Sequence, residues 1–386
     1  MKRLKYLLFS IIILSIFTPF ISKAQELEPD KVEVVRAKII DIQSLGTTTL
    51  PVLNISDTNE NITAQILEGT QKGQTVDFND NYPDIKKGDV VYVNHTVYAG
   101  SGQETYAITD IDRLPVIYFF VGLFIFLAIL IGGFQGIRGL LSLVGSFILI
   151  IFVLLPAILH GFSPILISIG VSSLIVILGS YITHGFNKTT SSAVAGMIIT
   201  IIFTGLMAYV GVHAANFTGF ASEEAIYLNL NSQGHINLVG ILIGGIMIGL
   251  LGILYDVSIG QAISVEELHH IAPHIPRGII FKRAMRMGRE HIGALINTLA
   301  IAYVGASLPL LLLFSTPPVD VAKLVNGEIF ATEIVRILIG SIGLILAVPI
   351  TTFLSVYILM PKVKKNVPKE ELQKEEKELE HFHHTH

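Results

Sequence analysis

The chain contains no cysteine and no tryptophan, and charged residues occupy only 15% of its 386 positions. Without cysteine, neither disulfide bonds nor thiolate metal sites can form. Without tryptophan, tyrosine is the aromatic residue that remains to anchor helices at a membrane surface. Soluble domains carry about a quarter charged residues. This composition, with 51% hydrophobic residues, therefore predicts a protein that is largely embedded in lipid.

Several kinds of chemistry are also missing. The net charge of −4 and the lack of a large basic patch argue against a nucleic-acid partner. The sequence shows no HExxH motif, no pair of intramembrane aspartates and no nucleophile beside a base, so we do not expect an enzyme. Neither a metal nor another cofactor is expected. The histidines at the C-terminus lie on a charged tail that would lose conformational entropy on binding a metal.

The N-terminus has the features of a secretion signal, residues 1–24. The basic start Lys-Arg-Leu-Lys at 2–5 precedes an apolar stretch at 6–21, and Ala24 fits a signal-peptidase site. The apolar stretch is short and contains Pro19, which favours cleavage over the alternative of an uncleaved anchor helix.

Residues 27–114 change to an alternation of apolar and polar residues with a period of two. Runs such as 32–42, 62–67 and 90–93 are separated by turn signals such as Lys-Gly-Asp at 87–89, which predicts five or six short antiparallel strands. A small all-β barrel of OB type suits this number and spacing. Since no basic stripe with interleaved aromatics is present, we expect a structural module or one that docks to a partner protein of the cell envelope.

Residues 115–360 predict an α-helical polytopic membrane protein with about seven transmembrane helices, because each apolar segment has the roughly 20 residues that cross a hydrocarbon core. Only Arg336 and His291 are ionisable inside these segments, and both lie near a segment end. The segments are expected near 115–133, 139–159, 164–183, 190–211, 236–254, 291–314 and 334–359.

Positive charges predict an orientation in the cell membrane. If the signal is cleaved, the β domain is extracytoplasmic, and basic residues then gather in the loops predicted to be cytoplasmic. The charged tail, residues 361–386, begins with Lys362, Lys364 and Lys365 and is expected in the cytoplasm. The lipid bilayer is therefore the first partner that the sequence implies.

Glycines follow one face of the fifth segment. Gly245, Gly249 and Gly252 recur every three or four residues and lead to Asp256, so the four residues share one helical face. Glycine permits a neighbouring helix to approach closely, which makes these glycines candidates for helix packing. The carboxylate of Asp256 is expected where this groove reaches the cytoplasm.

The sixth segment carries a second stripe, in which Glu290, Gly293 and Asn297 are spaced by three and four residues. Gly293 is a further candidate for helix packing. An asparagine in lipid is unfavourable unless it is hydrogen-bonded, so Asn297 should face protein or a hydrated cavity. A path for a substrate or ion between the fifth and sixth helices is one interpretation, and tight packing with a structural asparagine is the other. The sequence leaves both open.

Charges at the same predicted depth suggest a gate. Glu290 can pair with Arg286 along the sixth helix, which leaves Arg289 free to reach Asp256. A partly desolvated pair between Asp256 and Arg289 beside Asn297 would have to break when one helix moves. The alternative is that these charges simply lie in the headgroup layer, where an exposed pair contributes about 0–1 kcal/mol.

Three stretches resemble the YibE/F family of bacterial multipass membrane proteins: Tyr-Asp-Val-Ser-Ile at 255–259, Gly-Arg-Glu-His-Ile-Gly at 288–293, and 297–309. The resemblance extends over the mature chain and includes the loop at 185–189, and its motif in the sixth segment is long and specific. Members often carry aspartate where this chain has Glu290, so the negative charge is the same but the side chain is longer here. The family has no established activity, so the resemblance implies fold and topology but no catalytic residues.

Three classes of function remain open. The glycine groove and Asn297 favour a transporter or permease. The extracytoplasmic β domain favours a scaffold or assembly partner of the cell envelope, although seven helices are more than an anchor needs. An intramembrane enzyme is the least favoured, since no catalytic constellation is visible. The sequence names no substrate, coupling ion or oligomeric state.

Overall fold

In the computed structural model the described residues are 30–50, 55–315 and 320–360. The expected signal peptide, 1–24, and the charged tail, 361–386, lie outside them. The chain divides into two compact units, Met1–Phe124 and Ile125–His386.

The first unit contains one antiparallel sheet, which confirms the expected β-rich domain. Its five strands lie in the order β3-β2-β1-β4-β5. They are β1 (Lys31–Leu50), β2 (Ile55–Ile66), β3 (Thr75–Asp80), β4 (Val90–Val97) and β5 (Glu104–Ile111).

Alternation builds the core of this sheet. Val35, Ala37 and Ile39 of β1 are buried, because every second side chain of a strand faces the same side. The two edge strands approach each other: a carboxylate oxygen of Asp80 on β3 accepts a hydrogen bond from the backbone N–H of Ile108 on β5 at 2.6 Å. The sheet therefore curls into a half-barrel around its buried side chains.

The second part of the chain is helical, in agreement with the expected fold class. Its α-helices are α1 (Leu114–Leu149), α2 (Leu155–Leu159), α3 (Pro164–His184), α4 (Lys188–Ala214), α5 (Glu223–Asn231), α6 (Leu238–Ile271), α7 (Arg277–Ala306), α8 (Leu308–Ser315), α9 (Val321–Asn326) and α10 (Glu328–Leu359). A short π-helix, Ile150–Leu154, joins α1 to α2.

Among the described residues, five helical stretches are long and apolar enough to cross a membrane: Leu114–Leu159, Pro164–His184, Lys188–Ala214, Leu238–Ile271 and Glu328–Leu359. The expected number of about seven is not confirmed. The first two expected segments fall within the single stretch Leu114–Leu159. The expected sixth segment falls on α7 and α8, which are separated at Ser307.

Helices α4 and α10 are antiparallel and in close contact along their length. The hydroxyl oxygens of Ser192 and Ser355 are 2.9 Å apart. Gly196 lies against Thr351, and a Cβ atom at Gly196 would be only 3.0 Å from the Cα of that threonine. Further along, Gly343 of α10 lies against a threonine of α4. Small residues thus bring the two backbones together, as in many membrane helix pairs.

The far end of α6 forms a separate small core with the start of α7 and the end of α10. Leu268, Ile280 and Val356 are buried in it. The guanidinium of Arg277 donates from Nε to the carbonyl oxygen of Met360 at 3.2 Å, and so satisfies a carbonyl at the end of α10.

Candidate functional site

The residues of the predicted gate lie on two helices and are exposed. Asp256 is in the middle of α6, whereas Arg289 and Glu290 are in the first half of α7. In the part of the chain that the structure describes, no ion pair includes any of these three side chains. Asn297 is exposed on α7, and the structure gives its side chain no hydrogen bond to another described residue. The charge-pair gate stays a prediction.

The four glycines predicted to pack against a neighbouring helix differ in their surroundings. A Cβ atom at Gly249 would lie 2.5 Å from the hydroxyl oxygen of Tyr303, so α6 and α7 approach closely there. At Gly245, Gly252 and Gly293 a Cβ atom would meet no heavy atom of the described residues within 4 Å. Close packing at these three positions stays a prediction.

Gly245 instead lines a cavity of about 360 Å³. Helices α5, α6 and α10 and the loop before α5 form its walls. Apolar side chains such as Leu228 and Leu242 are combined with the charged residues Glu224, Glu333 and Arg336. The cavity therefore offers both a hydrophobic surface and charges of either sign.

The charges of this cavity on α10 form an ion pair. Nη1 of Arg336 is 2.9 Å from Oε1 of Glu333, three residues earlier, and both side chains are about three-quarters buried. The guanidinium carbon of Arg336 is also 5.9 Å from the centre of the Tyr303 ring. Nε of Arg336 is buried and has no hydrogen-bond partner among the described residues. This pair lies near the start of the candidate membrane span Glu328–Leu359. Ionisable side chains are rare in membrane spans and usually functional.

A carboxylate at the start of α10 fixes the loop that borders the cavity. Glu328 accepts hydrogen bonds from the backbone N–H of Thr218 at 2.7 Å and of Gly219 at 2.9 Å, and from the Thr218 hydroxyl at 2.8 and 2.9 Å. Gly219 has a φ of +85° and lies so close to Leu238 that a Cβ atom would be 2.7 Å from the backbone of that residue. Only glycine fits this position without strain.

A second polar cluster lies in the β domain. The Glu104 carboxylate accepts hydrogen bonds from Gln71 at 3.1 Å and from Tyr106 at 3.0 Å, and lies 3.0 Å from Nε2 of His95. Hydrogen bonds from Gln71, Tyr106 and His95 stabilise the charged form and lower the pKa of Glu104. The single proton of the Tyr106 hydroxyl has a second acceptor in Oε1 of Gln71, at 2.6 Å. These side chains satisfy one another's hydrogen-bonding groups, which is typical of a structural network.

The sequence singled out Gly245, which lines the cavity, but as a residue of helix packing. It did not single out Glu333 and Arg336 of the same cavity, nor Tyr303, the contact of Gly249. The available signal was Arg336, one of two ionisable residues inside the expected segments. Glu333 stands three residues before it, on the same helical face.

A family model described as YibE/F-like protein matches residues 120–361, more than half of the chain. No curated protein and no solved structure matches the chain. The match falls on the helical part and includes the whole of α6, α7 and α10.

Proposed function

The chain belongs to the YibE/F-like family, and we propose that this membrane protein is a transporter or permease-like protein without enzymatic activity. We propose a path between α6 and α7, the fifth and sixth of the expected helices. The cavity lined by α5, α6 and α10 adjoins this path, since Arg336 in the cavity lies 5.9 Å from the ring of Tyr303 on α7. The observation that carries the proposal is the Glu333–Arg336 pair, which lines a cavity inside a candidate membrane span.

The physical reason is the free energy of placing charges in a membrane. Moving an ion pair out of water usually costs more than the attraction between its partners returns, so such a pair is a poor device for stability alone. Charged residues in membrane helices mark substrate or ion pathways more often than they mark packing. The glycine face of α6 leaves the space beside this pair open, since Gly245 has no side chain to fill it.

The topology that we propose has seven crossings. The stretch Leu114–Leu159 has 46 residues, and a continuous helix of that length would measure about 69 Å, more than twice a hydrocarbon core of about 30 Å. Its backbone leaves helical geometry at Gly133, with φ 54° and ψ −135°, which supports two crossings joined there. Together α7 and α8 supply a further one. The β domain is then extracytoplasmic and the tail cytoplasmic.

Single cysteines can test this topology, because the chain has none of its own. His235→Cys, in the loop before α6, should react with a membrane-impermeant maleimide in intact cells. Lys282→Cys, on α7, should react only after the membrane is made permeable. Both residues are exposed. Labelling of Lys282→Cys in intact cells would contradict the proposed orientation.

Transport itself can be tested with the full-length protein in proteoliposomes. Uptake is screened over a panel of inorganic ions, carboxylates, amines and amino acids. Any uptake that depends on the protein should be strongly reduced by Arg336→Gln and kept by Lys282→Gln, which removes a charge from an exposed position of α7 outside the predicted gate. The proposal is wrong if nothing on the panel crosses, or if Arg336→Gln transports normally.

The second candidate function is an envelope scaffold that docks through the β domain. The observation in its favour is an exposed apolar strip on β1, where Val32 and Val34 are 59% and 57% exposed. The strand order and the contact between β3 and β5 support an OB-like barrel as the docking module. A deletion strain separates the two functions: a selective growth defect on particular solutes supports transport, and a purely morphological defect supports the scaffold.

A further inference from the structure

We propose that the cavity beside Arg336 binds a small amphipathic carboxylate, a molecule with one carboxylate group and an apolar body. The inference deepens the proposed transport function, since it names the chemical class of the substrate at the same site. It depends on the geometry of one arginine, on the apolar walls and on the two glutamates of the cavity.

Arg336 supplies the anion-binding group. A guanidinium has five N–H donors in a planar fork that matches the two oxygens of a carboxylate. Glu333 lies against Nη1, and the buried Nε–H has no acceptor among the described residues. The Arg336 side chain is 28% exposed although its Nε is buried, so a carboxylate in the cavity meets the exposed part of the side chain and reaches Nε only if the guanidinium turns toward it.

The walls select an apolar body. Leu228 of α5, together with Ile241 and Leu242 of α6, faces the same space as the arginine. The volume of about 360 Å³ is at the lower end of small-molecule pockets, which run from about 300 to 1,000 Å³. A body of several carbon atoms fits this space, whereas a sugar would leave its hydroxyl groups against leucine and isoleucine without hydrogen bonds.

The glutamates limit the charge of the ligand. Glu224 and Glu333 both line the cavity, so a second carboxylate on the ligand would meet like charge. An ammonium group, by contrast, could approach Glu224. A plain monocarboxylate and an apolar amino acid therefore share the chemistry that the cavity recognises, and they differ only at the ammonium group.

Binding is tested with the purified full-length protein by calorimetry, with hexanoate and leucine as the two probes. Hexylamine has a comparable apolar body without a carboxylate, and succinate has two carboxylates. We expect hexanoate, leucine or both to bind, and hexylamine and succinate to bind at least tenfold more weakly. Binding by hexanoate alone identifies the plain monocarboxylate, and binding by leucine alone identifies the amino acid.

Two variants locate the binding site. Arg336→Gln should weaken binding at least tenfold, and Lys282→Gln, at an exposed position of α7, should leave it unchanged. If Arg336→Gln does not fold, Gly245→Leu gives the same information. It fills the cavity from a position where a Cβ atom meets nothing within 4 Å, and it leaves the arginine intact. The inference is overturned if neither probe binds, or if Gly245→Leu and a folded Arg336→Gln both bind as the natural protein does.

The binding and uptake experiments test the carboxylate site and the proposed transport function separately. Binding of either probe without uptake in proteoliposomes keeps the carboxylate site and contradicts transport. Uptake of a solute of another class, with no binding of hexanoate or leucine, overturns the carboxylate site and keeps transport.

Discussion

Replacing Gly196 by alanine tests the close contact between α4 and α10. A Cβ atom there would meet the side chain of Thr351 and lie 3.0 Å from its Cα, so rotation of the threonine side chain cannot relieve the clash. The backbones of α4 and α10 must move apart, which also strains the hydrogen bond between Ser192 and Ser355 one turn away. Overpacking of this kind costs about 1–3 kcal/mol. A weakened hydroxyl bond adds about 1 kcal/mol.

Alanine has a higher helix propensity than glycine, and this offsets about 1 kcal/mol of the loss. We expect Gly196→Ala to be destabilised by about 1–3 kcal/mol, or roughly 2–10 °C in melting temperature for a unit of this size. The matched control is Gly170→Ala on α3, where a Cβ atom meets nothing within 4 Å and stability should be equal or higher. Both are measured by thermal unfolding in the same detergent. Equal stability of the two variants would refute the argument for close backbone contact.

Three further predictions concern other parts of the molecule. Gly249→Leu should lower the melting temperature because it displaces the Tyr303 side chain, whereas Gly245→Leu should not, and the same thermal assay compares them. The lowered pKa of Glu104 means that its charged form stabilises the folded sheet above the ordinary carboxyl pKa of about 4.3, and that this contribution is lost as the pH falls through the folded value. The sheet, followed by its infrared amide signal, should therefore unfold at a lower temperature in acid. In Glu104→Gln the unfolding temperature should depend less on pH. Asp256→Arg and Arg289→Asp should each abolish transport and the double swap should restore part of it, whereas normal activity of both single variants would remove the gate.

The sheet could be predicted because alternation is a local property. Val35, Ala37 and Ile39 indicate which side of β1 faces the core without knowledge of any other strand. The contact between Asp80 and Ile108 could not be predicted, since it joins the two edges of the sheet and depends on how strongly the whole sheet curls.

The packing of the helices could likewise be predicted only in part. Glycine spacing on α6 predicted close packing on that helix, whereas a close backbone contact lies between α4 and α10. Its signal was present as Ser192, Gly196 and Thr200 at intervals of four residues, a small-residue face on α4. A periodic face of small residues predicts that a helix packs closely, but it does not identify the helix against which it packs. Arg336 was likewise visible as a charge, but its cavity exists only because α5 and α6 come together beside it.

The arrangement of close contacts indicates which helices can move. The backbones of α4 and α10 touch at Gly196, whereas α6 meets α10 through side chains, such as Leu250, whose Cδ2 lies 3.3 Å from a Cβ atom built at Gly343. We infer that α4 and α10 move as one body and that α6 moves against them. The cavity has Gly245 on α6 and Arg336 on α10, so such a movement would change its shape. Transport by alternating access would then require sliding between α6 and α10 but none between α4 and α10.

Two engineered disulfides separate these movements in a chain that has no other cysteine. Ser192→Cys with Ser355→Cys joins α4 to α10, where the hydroxyl oxygens are 2.9 Å apart. Ser258→Cys with Thr351→Cys joins α6 to α10, where the oxygens are 3.3 Å apart. In both pairs the side-chain oxygens are in contact, so cysteines at these positions would face each other, as a disulfide requires. Oxidation of the first pair should leave transport intact, and oxidation of the second should stop it until a reductant is added. If the first cross-link stops transport and the second does not, α10 moves with α6, and the division into moving bodies is the reverse of the one argued from the glycines.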